Sequence, residues 1–136
     1  IYTGPIDEYF DYTYGRLPYR SLAFRFETLD VERFQDAAVV NYPGEQDYIR
    51  ITEFKHLTLQ KHPKTTICYE YGAAEGRPCY PVPTEANRRL CERYKAGADE
   101  LERVHFVGRL AQYEYLNMDQ VVERALALYE EIRTDG

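Results

Sequence analysis

Residues 21–27 alternate strictly, with Leu22, Phe24 and Phe26 on one side and Ser21, Ala23, Arg25 and Glu27 on the other. A period of two belongs to a strand with one apolar and one polar face, and no helix satisfies it. Three further strand-like runs follow, over 37–42, 48–54 and 65–71, and the Pro43-Gly44 turn between the first two predicts a hairpin. The Gly/Pro-rich stretch 72–83 reads as loop. A helix is expected over 84–101, capped by Thr84 and broken near Gly97. A short strand over 104–107 and a helix over 118–132 close the chain, the latter with Met118, Val121, Val122, Ala125, Leu128, Tyr129 and Ile132 along one face. Upstream, a short helix over 7–14 stops at Gly15. The order places the chain in the α+β class: an antiparallel sheet, a following helix, and a closing strand–helix unit like the last unit of a nucleotide-binding α/β fold. The expected division falls between 1–103 and 104–136.

Charge narrows the function classes. With 17 basic against 23 acidic residues the chain carries a net −6, which argues against nonspecific binding of nucleic acid or anionic membranes. No apolar run approaches the roughly 18 residues of a membrane span, and no secretory leader is recognisable. The chain opens at Ile1 on strand-like sequence and reads as a piece of a longer protein. Only Lys55, Lys61, Lys64 and Lys95 are lysines; the other cations are arginines, the residue suited to gripping phosphate bidentately. Cys68, Cys79 and Cys91 are odd in number and lack CxxC spacing, which argues against a disulfide framework or a zinc site and suits reduced thiols in the cytoplasm.

Several residues could carry chemistry. Arg50 sits mid-strand with Asn41 in the neighbouring strand, and it must find either an anion or a cross-strand carboxylate such as Glu27 or Glu53. Arg20 follows Tyr19 at the start of a strand. Tyr80 lies in a loop propped by Pro81, either at a cleft or on plain surface. In segment 108–120, Asn117 or Asp119 can cap the last helix, whose first amides then face a ligand anion or simply solvent. His56 and His62 flank a lysine-rich loop and are expected to be solvated; His105 reads as structural. Asp7-Glu8 reads as the acidic start of a helix rather than an acid/base pair. There is no metal-ligand spacing, no GxSxG, no Walker A and no GxGxxG.

The strings YTGPIDEYFDY (2–12), GRLPYRSL (15–22), RITEFKH (50–56), CYPV (79–82) and GRLAQYEYLNMDQ (108–120), in this order, resemble the C-terminal portion of the UDP-galactopyranose mutase family. The resemblance covers nearly the whole chain. It implies a cytoplasmic flavoprotein isomerase that interconverts UDP-galactopyranose and UDP-galactofuranose for cell-surface polysaccharide. In it the N5 atom of reduced FAD is the nucleophile at the anomeric carbon, and no protein residue carries the covalent step. The sheet would bind substrate, and 104–136 would close an incomplete FAD-binding fold whose GxGxxG unit lies in a missing N-terminal part. By motif, Arg20 and Arg50 match arginines of the substrate and diphosphate region, Asn41 an asparagine near the sugar, and Tyr80 and Tyr115 tyrosines beside diphosphate and sugar. Arg109, Asn117, Met118 and Asp119 match the flavin side. Departures are a loop one residue shorter before Arg50, Cys79 for a common tyrosine, and Asn117 for a common aspartate. The isolated piece is expected to lack FAD and activity, and to self-associate through the face bearing Val104, Phe106 and the 118–132 stripe. A different class stays open: a standalone, non-catalytic nucleotide-sugar binding or interaction domain.

Overall fold

The computed structural model describes residues 1–134. In chain order the elements are α1 (Ile6–Tyr9), β1 (Tyr19–Leu29), β2 (Val39–Asn41), β3 (Arg50–Glu53), α2 (Phe54–Thr58), β4 (Thr65–Ala73), β5 (Tyr80–Pro81), α3 (Glu85–Asp99) and α4 (Met118–Thr134). The chain is α+β, with antiparallel strands and helices, and it separates into two compact units: Ile1–Arg20 with Pro78–Gly136, and Ser21–Arg77. This division by packing is a separate matter from the functional division expected between 103 and 104.

The Ser21–Arg77 unit is an antiparallel sheet in the order β2-β3-β4-β1. Its register sets Phe26 opposite Cys68, Arg50 opposite Glu70, and Asn41 opposite Arg50. The strand expected over 37–42 shrinks to three residues. The one expected over 48–54 ends at Glu53, where Phe54 opens α2, a one-turn helix closed by Leu59 at φ +56°. Apolar spacing over so short a run fits strand and helix alike, which hid α2. The alternation of β1 is real, but Phe24 and Phe26 stay exposed, Phe26 stacking on Phe54 with ring centroids 6.0 Å apart. Burial falls instead on Ile51, Ile67 and Cys68, with Glu53, Thr65 and Lys55 among them.

The other unit has an aromatic core: Ile6, Leu17, Cys91, Tyr94 and Tyr113, flanked by Phe10, Tyr19, Leu90, Ala98 and Phe106. Helix α1 is a single turn rather than the span 7–14, because Asp11 and Tyr12 both adopt positive φ (50° and 58°) and end it. Asp7 does belong to its first turn, yet its carboxylate turns inward. It accepts from the Leu17 amide (2.9 Å) and from the Tyr19 hydroxyl (3.3 Å). Helix α3 is capped as expected, Thr84 Oγ1 accepting from the Asn87 amide. It runs unbroken through Gly97, where a Cβ would sit 3.6 Å from the Phe10 ring, an ordinary van der Waals contact, so this glycine neither breaks the helix nor is demanded by packing. The strand expected over 104–107 is a single parallel bridge between Tyr2 and Phe106, because among the described residues only Tyr2 supplies backbone partners, to His105 O and Val107 N. Helix α4 forms as its stripe requires, but none of its described residues is buried; Met118 is 84% exposed.

Candidate functional site

Each unit gathers part of the expected set. In the unit of Ile1–Arg20 with Pro78–Gly136, β5 pairs with the first residues of β1, Arg20 opposite Tyr80. Opposed residues of an antiparallel pair project to one face, so Arg20 and Tyr80 are neighbours there. The Tyr80 ring stacks on Tyr115 at 5.6 Å with planes 22° apart. The Arg109 guanidinium lies 4.8 Å from the Tyr80 centroid and 5.5 Å from that of Tyr115. Such contacts hold a cation against an aromatic face. Arg109 donates through Nε (3.1 Å) and Nη2 (2.5 Å) to Leu116 O, which fixes its heading. Tyr115 is 63% exposed, and among the described residues neither the Tyr80 nor the Tyr115 hydroxyl has a protein partner. Two phenols and an arginine side by side, with hydroxyls unspent, are equipped to bind a polar anionic ligand.

The loop that delivers Arg109 and Tyr115 is bonded to itself. Gln112 N donates to Gly108 O, Glu114 N to Arg109 O, and Gly108 N to Gln112 Oε1. The chain reverses at Tyr113, held at φ +52°, a left-handed conformation that strains a tyrosine. Tyr113 is buried, and burial raises its phenol pKa. Its hydroxyl lies 2.7 Å from Pro18 O and 3.1 Å from Val82 O, to which it donates. Sequence reasoning passed over Tyr113, and its place in an uninterrupted motif with Tyr115 was the only available signal.

Asn117, Met118 and Asp119 form the exposed start of α4. The Asn117 amide donates to Gln120 Oε1, so Gln120 reaches back to the helix start, and the first-turn amides behind it have no intrahelical acceptor. Beside them is a cleft of about 400 Å³ between Val107–Leu110 and the Val121/Ala125 side of α4. Gly108 borders it at φ +100° with open space where a Cβ would stand, so a side chain there would be strained and would intrude. The cleft is thus largely apolar, with a bare glycine and an arginine in its lining.

In the Ser21–Arg77 unit the hairpin brings Asn41 and Arg50 together: Arg50 Nε donates to Asn41 Oδ1 at 2.9 Å. The carboxylate partner of Arg50 is neither Glu27 nor Glu53 but Glu70, directly opposite on β4, at 3.5 Å. Glu27 instead pairs with Arg25. Glu53 is fully buried and accepts from the Phe34 and Gln35 amides and from Thr65 Oγ1. Burial pushes the Glu53 carboxyl upward, but the hydrogen bonds from Thr65, Gln35 and Phe34 and the nearby His56 outweigh it and hold the pKa below the ordinary range. His56 is therefore not solvated as expected; it is half-buried, with Nε2 3.2 Å from Glu53 and 2.8 Å from Gln35 O. His62 does stay exposed. Among the described residues no group of three His, Cys, Asp or Glu side chains could hold a metal ion. None of the described helices is long and apolar enough to cross a membrane.

Comparison with known proteins gives these features a class. Similar proteins include a probable UDP-galactopyranose mutase of Klebsiella pneumoniae, 38% identical over 96% of this chain and 35% of that protein. The UDP-galactopyranose mutase of Mycoplasma pneumoniae is 36% identical over 97% of the chain and 35% of its own length. A dTDP-fucopyranose mutase of Escherichia coli is 33% identical over 93% and 35%. All three are named as mutases of nucleotide-linked pyranoses, and the chain spans about a third of their length. The sequence profile of the UDP-galactopyranose mutase family matches residues 1–115, and the chain belongs to that family.

Proposed function

We propose that this chain is the C-terminal third of a flavin-dependent mutase that interconverts UDP-galactopyranose and UDP-galactofuranose. The observation that carries the reading is the stacked Tyr80–Tyr115 pair with Arg109 against both rings and both hydroxyls unspent. Residues 1–103 serve mainly the substrate and 104–136 the cofactor. Arg20 neutralises phosphate charge in its unit, and Arg50, oriented by Asn41 and Glu70, does so in the other, while Arg109 stands on the flavin side. Tyr80 and Tyr115 offer hydroxyls to the diphosphate and sugar. The α4 start and the Gly108 edge bind one face of FAD, with Asn117, Met118 and Asp119 nearest it; no pyrophosphate-binding glycine turn lies in this chain. When bound in its reduced form, FAD supplies a nucleophilic flavin N5 for the anomeric carbon. The chain's own residues hold the nucleotide sugar, offset its charge and keep the leaving diphosphate in place.

The test is made on the whole protein. It should purify with a flavin spectrum and, once reduced, convert UDP-galactofuranose to UDP-galactopyranose. A colourless protein, or one that leaves both sugars unchanged, would end this reading in favour of a non-catalytic nucleotide-sugar binding module. Faster conversion of dTDP-fucopyranose would keep the chemistry and change the substrate.

A further inference from the structure

We infer that Tyr113 is a positioning residue for the substrate clamp, its phenol fixing the distance between the strand pair that carries Arg20 and Tyr80 and the loop that carries Arg109 and Tyr115. The enzymatic consequence rests on the function proposed above; the geometry does not. Pro18 immediately precedes β1 and Val82 immediately follows β5, so the two carbonyls within reach of the Tyr113 hydroxyl mark one end of the β1–β5 pair. The Val82 amide, 3.3 Å away, also donates to that oxygen. On the other side, the Tyr113 backbone is the point where the chain reverses between Arg109 and Tyr115. The edge of the Tyr19 ring meets the Tyr113 ring at 5.3 Å and 84°, which fixes its plane. One rigid side chain thus spans both halves of the clamp.

The hydroxyl is not required to satisfy those carbonyls. Val82 O also accepts from Asn87 Nδ2 at 2.7 Å, and Pro18 O from the Val82 amide at 3.3 Å. Phenylalanine would fill the same core volume and leave neither carbonyl without a donor, so the variant folds. What the hydroxyl adds is spacing. Tyr94 is the matched control: it is fully buried in the same core, its hydroxyl donates to Gly15 O at 2.7 Å, and its ring meets those of Phe10 and Tyr14.

The experiment compares the whole flavin-loaded protein with its Tyr113→Phe and Tyr94→Phe variants by melting temperature, steady-state kinetics with UDP-galactofuranose, and crystal structure. Displacing a binding group by a fraction of an ångström costs on the order of tenfold in rate. Tyr113→Phe should lower kcat/KM about tenfold, mostly through KM, while melting no lower than Tyr94→Phe. Its Tyr80–Tyr115 centroid distance should also depart from the 5.6 Å seen here by about 0.5 Å. Tyr94→Phe should keep wild-type kinetics. Unmoved rings overturn the proposal whatever the kinetics, and so does a kcat/KM within twofold of wild type in an active enzyme. If the wild-type protein shows no mutase activity, the functional reading fails and the ring geometry alone decides the positioning role.

Discussion

The two units bury polar groups in opposite ways. The unit of Ile1–Arg20 with Pro78–Gly136 packs tyrosines whose neutral hydroxyls end on backbone carbonyls, Tyr94 on Gly15 and Tyr113 on Pro18 and Val82. The Ser21–Arg77 unit has few buried apolar residues and centres on a carboxylate. Glu53 gathers the Phe34 and Gln35 amides and Thr65, and the adjacent Lys55 donates through Nζ to Glu32 O and His62 O. A phenol is inexpensive to bury, and losing its hydroxyl leaves shape intact. A buried carboxylate is tolerated only while its donors stay in place, and those donors are stranded when it goes. The first unit is held by packing and trimmed by hydrogen bonds, whereas the second depends on its hydrogen bonds to keep its loops on the sheet.

The largest effect should therefore come from Glu53→Ala. It strips an acceptor from two amides, a hydroxyl and His56, of which His56 alone keeps a second partner in Gln35 O, at a cost of about 3–5 kcal/mol. Tyr94→Phe should cost about 1 kcal/mol. Denaturant unfolding of the whole protein measures both, and hydrogen exchange should show the Glu53 loss concentrated in residues 30–38. Equal costs would break the comparison. The pH dependence has a definite sign. A Glu53 carboxyl held lower in the folded than in the unfolded state contributes stability that is fully present above the ordinary carboxylate pKa of ~4.3 and lost as pH falls through its folded value. Glu53→Gln should flatten stability over that acid window, which an acid titration of the melting temperature reads.

The sites differ in the same manner, with smaller effects. Arg50 is oriented by Asn41 and by a carboxylate, Glu70, whereas Arg109 is oriented by a neutral carbonyl and two rings. Arg50→Ala should weaken UDP binding by about 1.5–3 kcal/mol, the worth of a charge-assisted contact, with Arg50→Lys restoring little because the planar fork is lost. Calorimetric titration with UDP decides. Unchanged affinity with a lower melting temperature would make Arg50 a structural partner of Glu70 and nothing more.

Much of this was legible in the sequence because side-chain period and turn residues are local. The alternation over 21–27, the Pro43-Gly44 hairpin, and the Thr84 cap on α3 all follow from neighbouring residues. What could not be read depended on partners far along the chain. Nothing near Glu53 in sequence says that amides some twenty positions earlier fold onto it, and nothing near Arg50 selects Glu70 over Glu27 until the register is known. The strand expected over 104–107 failed for the same reason, since a strand is defined by its neighbours and among the described residues only Tyr2 pairs with it. Motif was enough to single out Tyr80 and Tyr115 as candidates, but the reversal at Tyr113, two residues before Tyr115, was not legible, because a tyrosine at positive φ runs against propensity.

A smaller test addresses the neutral side of the comparison. Tyr80 and Tyr115 have exposed or half-exposed rings and unspent hydroxyls, so Tyr→Phe at either should leave melting unchanged and remove one neutral hydrogen bond to substrate. That is worth about 0.5–1.5 kcal/mol, a severalfold fall in kcat/KM. A clear stability loss with normal kinetics would move them from the site to the scaffold.

The smallest expected effect sharpens the comparison inside one loop. Asp30 and Glu53 both help anchor the segment after β1, Asp30 through Lys64 Nζ at 2.7 Å and Glu53 through a fully buried carboxylate that accepts from the Phe34 and Gln35 amides. The Asp30–Lys64 contact is the shorter, yet its side chains are 82% and 51% exposed. Water screens such a pair, and ordering two mobile side chains offsets most of the attraction, which leaves about 0.2–1 kcal/mol. Asp30→Asn should thus shift stability by no more than that, and the difference should vanish in about 1 M salt, where the screening length is roughly 3 Å. The cost of Glu53→Ala should persist in the same salt, because its carboxylate is buried away from ions. Were Asp30→Asn to cost as much as Glu53→Ala, contact length rather than burial would govern this unit, and the contrast between its carboxylates and the other unit's phenols would lose its basis.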